Sequence, residues 1–264
     1  MIIPVKLDIR KCLLQLDRWS VLNNSFVRGT CRVPATGRLL VRVVKKTIEA
    51  RNICTFELAA HSGVALPPFD AGSHIDVYIR EDLVRQYSLC NAPSEMHRYL
   101  IGVLCEPKTH GGSRMMHDKV SEGDILEISE PKNRFPLVHS AKRSILLADG
   151  IGVIPIMCMA ERLASIGADF ELHYRGRSMP HMAFVQRIMR SVYANRVLLH
   201  FSDGAPEQLI DIPELLHCPD PQTHFYVCGP TGFMDVVIDT ATQQGWSNAN
   251  VHTEYSSAQV QVGQ

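Results

Sequence analysis

The chain has 264 residues, of which 45% are hydrophobic and 20% charged, a composition that fits one or two globular domains and excludes disorder or low complexity for its bulk. Lys+Arg and Asp+Glu both number 27, so no net field draws the protein to nucleic acid or to an anionic membrane. Residues 1–38 depart from that balance: Lys6, Arg10, Lys11, Arg18, Arg28, Arg32 and Arg38 face only Asp8 and Asp17, which leaves this stretch at +5.

The first 36 residues mix arginines with Trp19, Phe26 and several leucines and carry no cleavable apolar core. They read as a basic arm outside the folded domains, with a transit peptide as the alternative. No apolar run approaches the roughly 18–20 residues of a membrane span, since Ile145–Ala160 is interrupted by Asp149, two glycines and Pro155. The eight cysteines (Cys12, Cys31, Cys54, Cys90, Cys105, Cys158, Cys218, Cys228) are scattered, as reduced thiols of a cytoplasmic protein would be. The twelve histidines show no metal-ligand spacing.

From Arg38 onward short β-like runs follow one another: 39–44, 53–58, 74–80, 84–90, 99–105 and 124–129. The alternation in 74–80 places Ile75, Val77 and Ile79 on one face. Turn clusters separate these runs, and a short helix is predicted over 113–119. Such a series predicts a small antiparallel barrel over residues 37–138. After Pro136 the pattern changes to strands at 144–148, 169–174, 196–201, 225–228 and 251–255, with helices predicted at 153–166, 180–190 and 232–243. Strands alternating with helices predict a doubly wound α/β domain with a parallel sheet over 139–256, followed by a tail at 257–264.

Four segments carry residue types suited to nucleotide chemistry. Arg85-Gln86-Tyr87-Ser88 offers a planar cation for phosphate, a stacking face, and a hydroxyl or amide for a ring nitrogen. Thr109-His110-Gly111-Gly112-Ser113 opens the short helix, with Ser113 as the expected N-cap and free amides behind it that suit a phosphate. Asp149-Gly150-Ile151-Gly152 turns from a strand into a helix, as in dinucleotide folds, but Pro155 replaces the third glycine and no acid closes the next strand, which ends His173-Tyr174-Arg175-Gly176-Arg177. Cys228-Gly229-Pro230 ends a buried strand at the edge where such sheets place ligands. Taken singly, each also suits a packed Tyr, a plain Gly-Gly turn, a solvated basic loop, or a buried Cys acting as a small hydrophobe.

In their order, these pieces resemble the ferredoxin–NADP reductase superfamily, in its phthalate dioxygenase reductase and vanillate demethylase reductase branch. The resemblance spans about residues 37–256 and rests on Arg85-x-Tyr87-Ser88-Leu89-Cys90-Asn91, Gly111-Gly112-Ser113, Gly123-Asp124, Pro131-x-Asn133-x-Phe135-Pro136-Leu137, Gly150-Ile151-Gly152, His173-Tyr174, Arg177-Ser178, Ala183-Phe184, Cys228-Gly229-Pro230 and Glu254-Tyr255. It implies a reductase in which NADH or NADPH docks on the α/β domain and gives hydride to a flavin on the barrel, FMN rather than FAD. Electrons then pass singly to an iron–sulfur protein or an oxygenase component. Carried onto this chain, Arg85, Gly111, Gly112 and Ser113 would hold the flavin phosphate. Tyr87 would stack on the ring, with Ser88 and Leu89 beside it. Gly150, Gly152, Arg177, Ser178, Cys228, Gly229, Pro230 and Glu254 would frame the nicotinamide nucleotide. Tyr87, Ser88 and Cys228 are the expected catalytic residues.

Two positions depart from the family pattern: Asp149 stands where Gly is usual and Ile154 where Thr is frequent. A carboxylate beside a pyrophosphate repels it, so nucleotide affinity is expected to be weakened and Asp149→Gly to lower the KM for NADH. Relatives continue into a plant-type [2Fe–2S] domain, whereas this chain ends at Gln264 with no cysteine beyond Cys228. The expectation is a chain without a metal site that delivers electrons to a separate ferredoxin or oxygenase component, with no nucleic acid or membrane partner. A free-standing FAD-type reductase and a weak nucleotide- or partner-binding remnant stay open as alternatives.

Overall fold

A computed structural model describes residues 37–105 and 111–256. The basic arm, the tail, and Thr109 and His110 of the second motif lie outside the described residues. The first half of the fold is an antiparallel sheet: β1 (Arg38–Ala50), β2 (Ile53–Ala60), β3 (Ser73–Arg80), β4 (Leu83–Ser88), β5 (Tyr99–Leu104), then helix α1 (Gly112–Lys119), β6 (Ile125–Ser129) and the short β7 (Lys132–Asn133). The strand order is β4-β3-β6-β1-β2-β5, with β7 on β3. A bridge between Leu89 and Ile101 joins the two ends and rolls the sheet into a barrel.

Side-chain alternation fills this barrel. Leu39, Val41 and Val43 of β1 are buried while Leu40 and Val44 face out. Two register shifts in β1, at Val43/Lys45 and Ile48/Ala50, let this long strand bend as it pairs with β2. In β3 the expected inner residues Ile75 and Val77 are fully buried, but so, nearly, are His74 and Asp76 on the other face. That face is covered as well, and Asp76 is satisfied there by Lys132 Nζ at 2.6 Å. The Lys46 ammonium donates to the carbonyls of His117 and Val120, which ties the C-terminal end of α1 to β1 and fixes where its N-terminus points.

The second half is a parallel sheet: β8 (Arg143–Asp149), α2 (Val153–Ser165), β9 (Asp169–Gly176), α3 (Val185–Met189), β10 (Val197–Phe201), α4 (Ile212–Leu215), β11 (Thr223–Gly229), α5 (Thr231–Gln243) and β12 (Val251–Tyr255). Its order is β10-β9-β8-β11-β12, so the chain reverses direction across the sheet between β8 and β11. The helix expected over 180–190 is instead a tight turn at Met179–His181 followed by the short α3. Phe184 breaks it with a left-handed backbone (φ 61°), and Met182, Ala183 and Phe184 all turn into the core.

One apolar cluster runs from the barrel interior to the α2 side of the parallel sheet, and a second lies on the opposite face under α4, α5 and Trp246. Helix α2 is buried at every residue from Val153 to Ala160 because it is packed between the two sheets. Ile154, where a hydroxyl was expected, lies on the backbone of Gly102 in β5, where a Cβ would collide with it. The Cys158 thiol donates to the Asn91 carbonyl at 3.3 Å, and the Val138 amide to the Tyr226 hydroxyl at 2.8 Å.

Candidate functional site

On the barrel, Arg85 and Tyr87 pair across the ladder with Val77 and Ile75, and Ser88 pairs with His74 on the other face. Tyr87 packs against the barrel core, and its buried hydroxyl has no hydrogen-bond partner in the described structure. Burial pushes that phenol's pKa well up. Beside it, Gly111 and Gly112 open α1 directly against Arg85: a Cβ on Gly112 would come within 2.5 Å of Arg85 Cγ, and one on Gly111 within 3.0 Å of Arg85 Nη2. The open amides of an eight-residue helix and a guanidinium thus converge on one spot. Gly111, not Ser113, is the N-cap residue, and Ser113 sits inside the first turn. The pair of glycines accounts for the change, because only a residue without Cβ lets the helix start this close to Arg85.

Ser88 Oγ donates to Glu254 Oε2 at 3.1 Å, from the end of β4 to β12 of the parallel sheet. Burial raises the Glu254 carboxyl to about 7, with the Ser88 hydroxyl opposing that shift. Cys228 pairs with Glu254 across β11 and β12 and is 2% exposed. Burial, and then the Glu254 charge, push its thiol well above the usual range, which favours the neutral thiol.

The switch point between β8 and β11 lies alongside. Gly150 takes a left-handed backbone (φ 57°) that leads from β8 into the turn before α2. Gly152 packs directly on the Cys228 carbonyl, where a Cβ would overlap it. Asp149 is not an isolated carboxylate at this edge. Its Oδ2 accepts from Arg175 Nη1 at 2.6 Å, and the two residues are in register on β8 and β9. Burial raises the Asp149 carboxyl and Arg175 pulls it back only in part. Arg177 pairs with Asp203 beyond β10 at 2.8 Å. The acid that the sequence lacks at the end of β9 is therefore supplied through space by the strands on either side. A cavity of about 540 Å³ opens here, lined by Asp149, Gly150, Ile151, Arg175, Arg177 and Asp203 from the sheet and by Arg51 and Asn52 from the β1–β2 hairpin. It lies where open α/β sheets bind nucleotides.

Among the expected residues, Ser88, Gly150, Gly152, Cys228, Gly229 and Glu254 come together at this junction of barrel and sheet, while Arg85 lies with Gly111 and Gly112 at the start of α1. Leu89 is an exception, since its side chain lies wholly inside the barrel. Ser178 bonds His181 Nδ1 at 2.9 Å within its own turn. Pro230 caps α5, and Gly229 passes close to Asp149 Cβ. Arg51 and Asp203 were missed. Arg51 had no motif around it, and its hairpin reaches the site only through the fold, held by the Arg51 amide on the Pro180 carbonyl at 3.1 Å. Among the described residues no cluster of His, Cys, Asp and Glu is arranged to hold a metal, and no helix is long and apolar enough to cross a membrane.

Two sheets meeting in this way, with the switch point of one facing the Arg-x-Tyr-Ser strand of the other, define the ferredoxin–NADP reductase class of oxidoreductases. No protein-family model matches the chain. Individual proteins do: it is 52% identical over 216 residues to the vanillate O-demethylase oxidoreductase of Pseudomonas putida, covering 82% of this chain and 68% of that one. It is 37% identical over 219 residues to the phthalate dioxygenase reductase of Burkholderia cepacia, covering 83% and 67%. A solved phthalate dioxygenase reductase, described as a modular structure for electron transfer from pyridine nucleotides to [2Fe–2S], superposes with a TM-score of 0.78 at 37% identity over 83% of this chain and 68% of that one. The chain belongs to this family of oxygenase reductases and is an oxidoreductase of their kind. It spans about two thirds of the length of these relatives.

Proposed function

We propose that the chain is an FMN-dependent NAD(P)H reductase that passes electrons to a separate ferredoxin or oxygenase component, in the cytoplasm. The Ser88–Glu254 hydrogen bond carries this reading, because it brings the flavin-type strand of the barrel and the nucleotide edge of the sheet to one point. The residues present fit a flavin mononucleotide. Gly111, Gly112, Ser113 and Arg85 form a cradle that a Cβ would fill, suited to one terminal phosphate. The Tyr87 ring offers a stacking surface, and its unpartnered hydroxyl suits a polar ring edge. A bound flavin would supply the conversion of a two-electron hydride donor to one-electron steps.

The chain's own residues position and protect that exchange. The Gly150–Gly152 turn and the start of α2 present backbone amides to a pyrophosphate. Arg51 faces the same cavity from the hairpin without an ion-pair partner among the described residues. Glu254, raised to about 7, is about half protonated at neutral pH and can exchange a proton with the ring edge through Ser88 Oγ. Cys228 lies buried behind the Gly152 turn as a polarizable thiol. The free thiols of the described cysteines support a reducing compartment. Mass spectrometry of the flavin released by denaturation tests the cofactor: a mass of FMN is expected, and FAD would favour the free-standing reductase. NADH-driven reduction of ferricyanide tests the activity, and its absence in flavin-loaded protein would favour the binding remnant.

A further inference from the structure

We infer that the Asp149–Arg175 ion pair sets the nucleotide specificity of this pocket by masking Arg175 from a 2′-phosphate. The inference rests on the reductase reading, and it names a determinant that the reading leaves open. An arginine at the end of the second strand of a dinucleotide fold is placed to meet a ribose 2′-phosphate, whereas an acid there meets the free hydroxyl. Arg175 stands at that end, on β9, and its guanidinium lines the cavity. Asp149, in register on β8, takes Nη1 at 2.6 Å. The Arg175 guanidinium also lies 5.4 Å from the Phe233 ring on α5, which helps hold it against the sheet.

Exposure separates this pair from its neighbour. The side chains of Asp149 and Arg175 are 14% and 31% exposed, against 54% and 69% for Asp203 and Arg177. The outer pair is solvent-screened and weak, while the inner one is partly desolvated and holds its geometry. A 2′-phosphate therefore meets Arg175 only by displacing the carboxylate that holds it. A nucleotide with a free 2′-hydroxyl needs no such exchange.

The test is calorimetric binding of 2′,5′-ADP and 5′-AMP to the flavin-loaded protein, which needs no turnover. Asp149→Asn keeps the side-chain shape and removes the charge. It should tighten 2′,5′-ADP by about tenfold, as a charge-assisted contact to phosphate would, with a smaller change for 5′-AMP. Asp149→Asn combined with Arg175→Ala should abolish that selective gain. Equal effects on both nucleotides, or a gain that survives loss of Arg175, would overturn the inference. NADH-driven ferricyanide reduction by the unaltered protein reports separately on the reductase reading, so failure of one is distinguishable from failure of the other. Thermal melting of each variant confirms that it is folded before its affinities are compared.

Discussion

Ser88 on the barrel and Glu254 on the last strand of the parallel sheet are joined by one 3.1 Å hydrogen bond, although 166 residues separate them in the chain. The bond places a carboxyl with a pKa of about 7 at the point where the two halves of the fold meet.

Glu254 should therefore leave a mark on pH dependence. The rate of NADH-driven flavin reduction should show an inflection near pH 7 that Glu254→Gln removes. The folded carboxyl binds its proton more tightly than the unfolded one, whose pKa is near 4.5. Its stabilising contribution is complete below pH 4.5 and is lost as pH rises through about 7. Thermal melting should accordingly show Glu254→Gln gaining stability on the wild type between pH 5 and pH 8. An unchanged inflection would remove Glu254 from the proton path.

Gly152→Ala should be among the most damaging single changes at the sheet edge. Its Cβ would overlap the Cys228 carbonyl, which is fixed backbone and cannot yield as a side chain would. Overpacking of this kind costs roughly 1–3 kcal/mol. A lowered melting temperature and weakened nucleotide binding are expected, and wild-type values for both would contradict the packing described.

Arg85→Ala should release flavin. Loss of a charge-assisted phosphate contact is worth about 1.5–3 kcal/mol, so flavin affinity should fall by roughly tenfold or more. Gly112→Ala should act in the same direction by displacing Arg85. Fluorescence titration of the apoprotein with FMN measures both variants.

Arg51 should serve the part of the nucleotide that NADH and NADPH share. Arg51→Ala is expected to raise KM several-fold for both nucleotides and leave kcat unaltered, an effect that added salt diminishes. A change in kcat with KM constant would place Arg51 elsewhere in the reaction.

The two-part fold was legible because its signals are local: period-two runs between turns, then strands alternating with helices. The four candidate motifs stand out in the chain for the same reason, since each is a short contiguous run. What stayed hidden depends on pairing through space. Arg175 reads as an unopposed cation until β8 and β9 bring Asp149 beside it, and the expected repulsion from Asp149 gives way to an ion pair. The expectation that Asp149→Gly simply relieves repulsion changes with it, since the substitution also unmasks an arginine. Ser113 looked like a cap because serine prefers that position, but the close approach of α1 to Arg85 moved the helix start back to Gly112, capped by Gly111. The helix expected over 180–190 failed because burial of Met182 and Phe184 overrode helical periodicity.

The central claim is that this chain binds a flavin on its barrel and reduces it with a nucleotide bound at the sheet edge. The absorption spectrum of flavin-loaded protein under anaerobic conditions, before and after addition of NADH, tests it most directly. Bleaching of the flavin bands is the predicted result, and a spectrum unaltered by millimolar NADH would contradict the account.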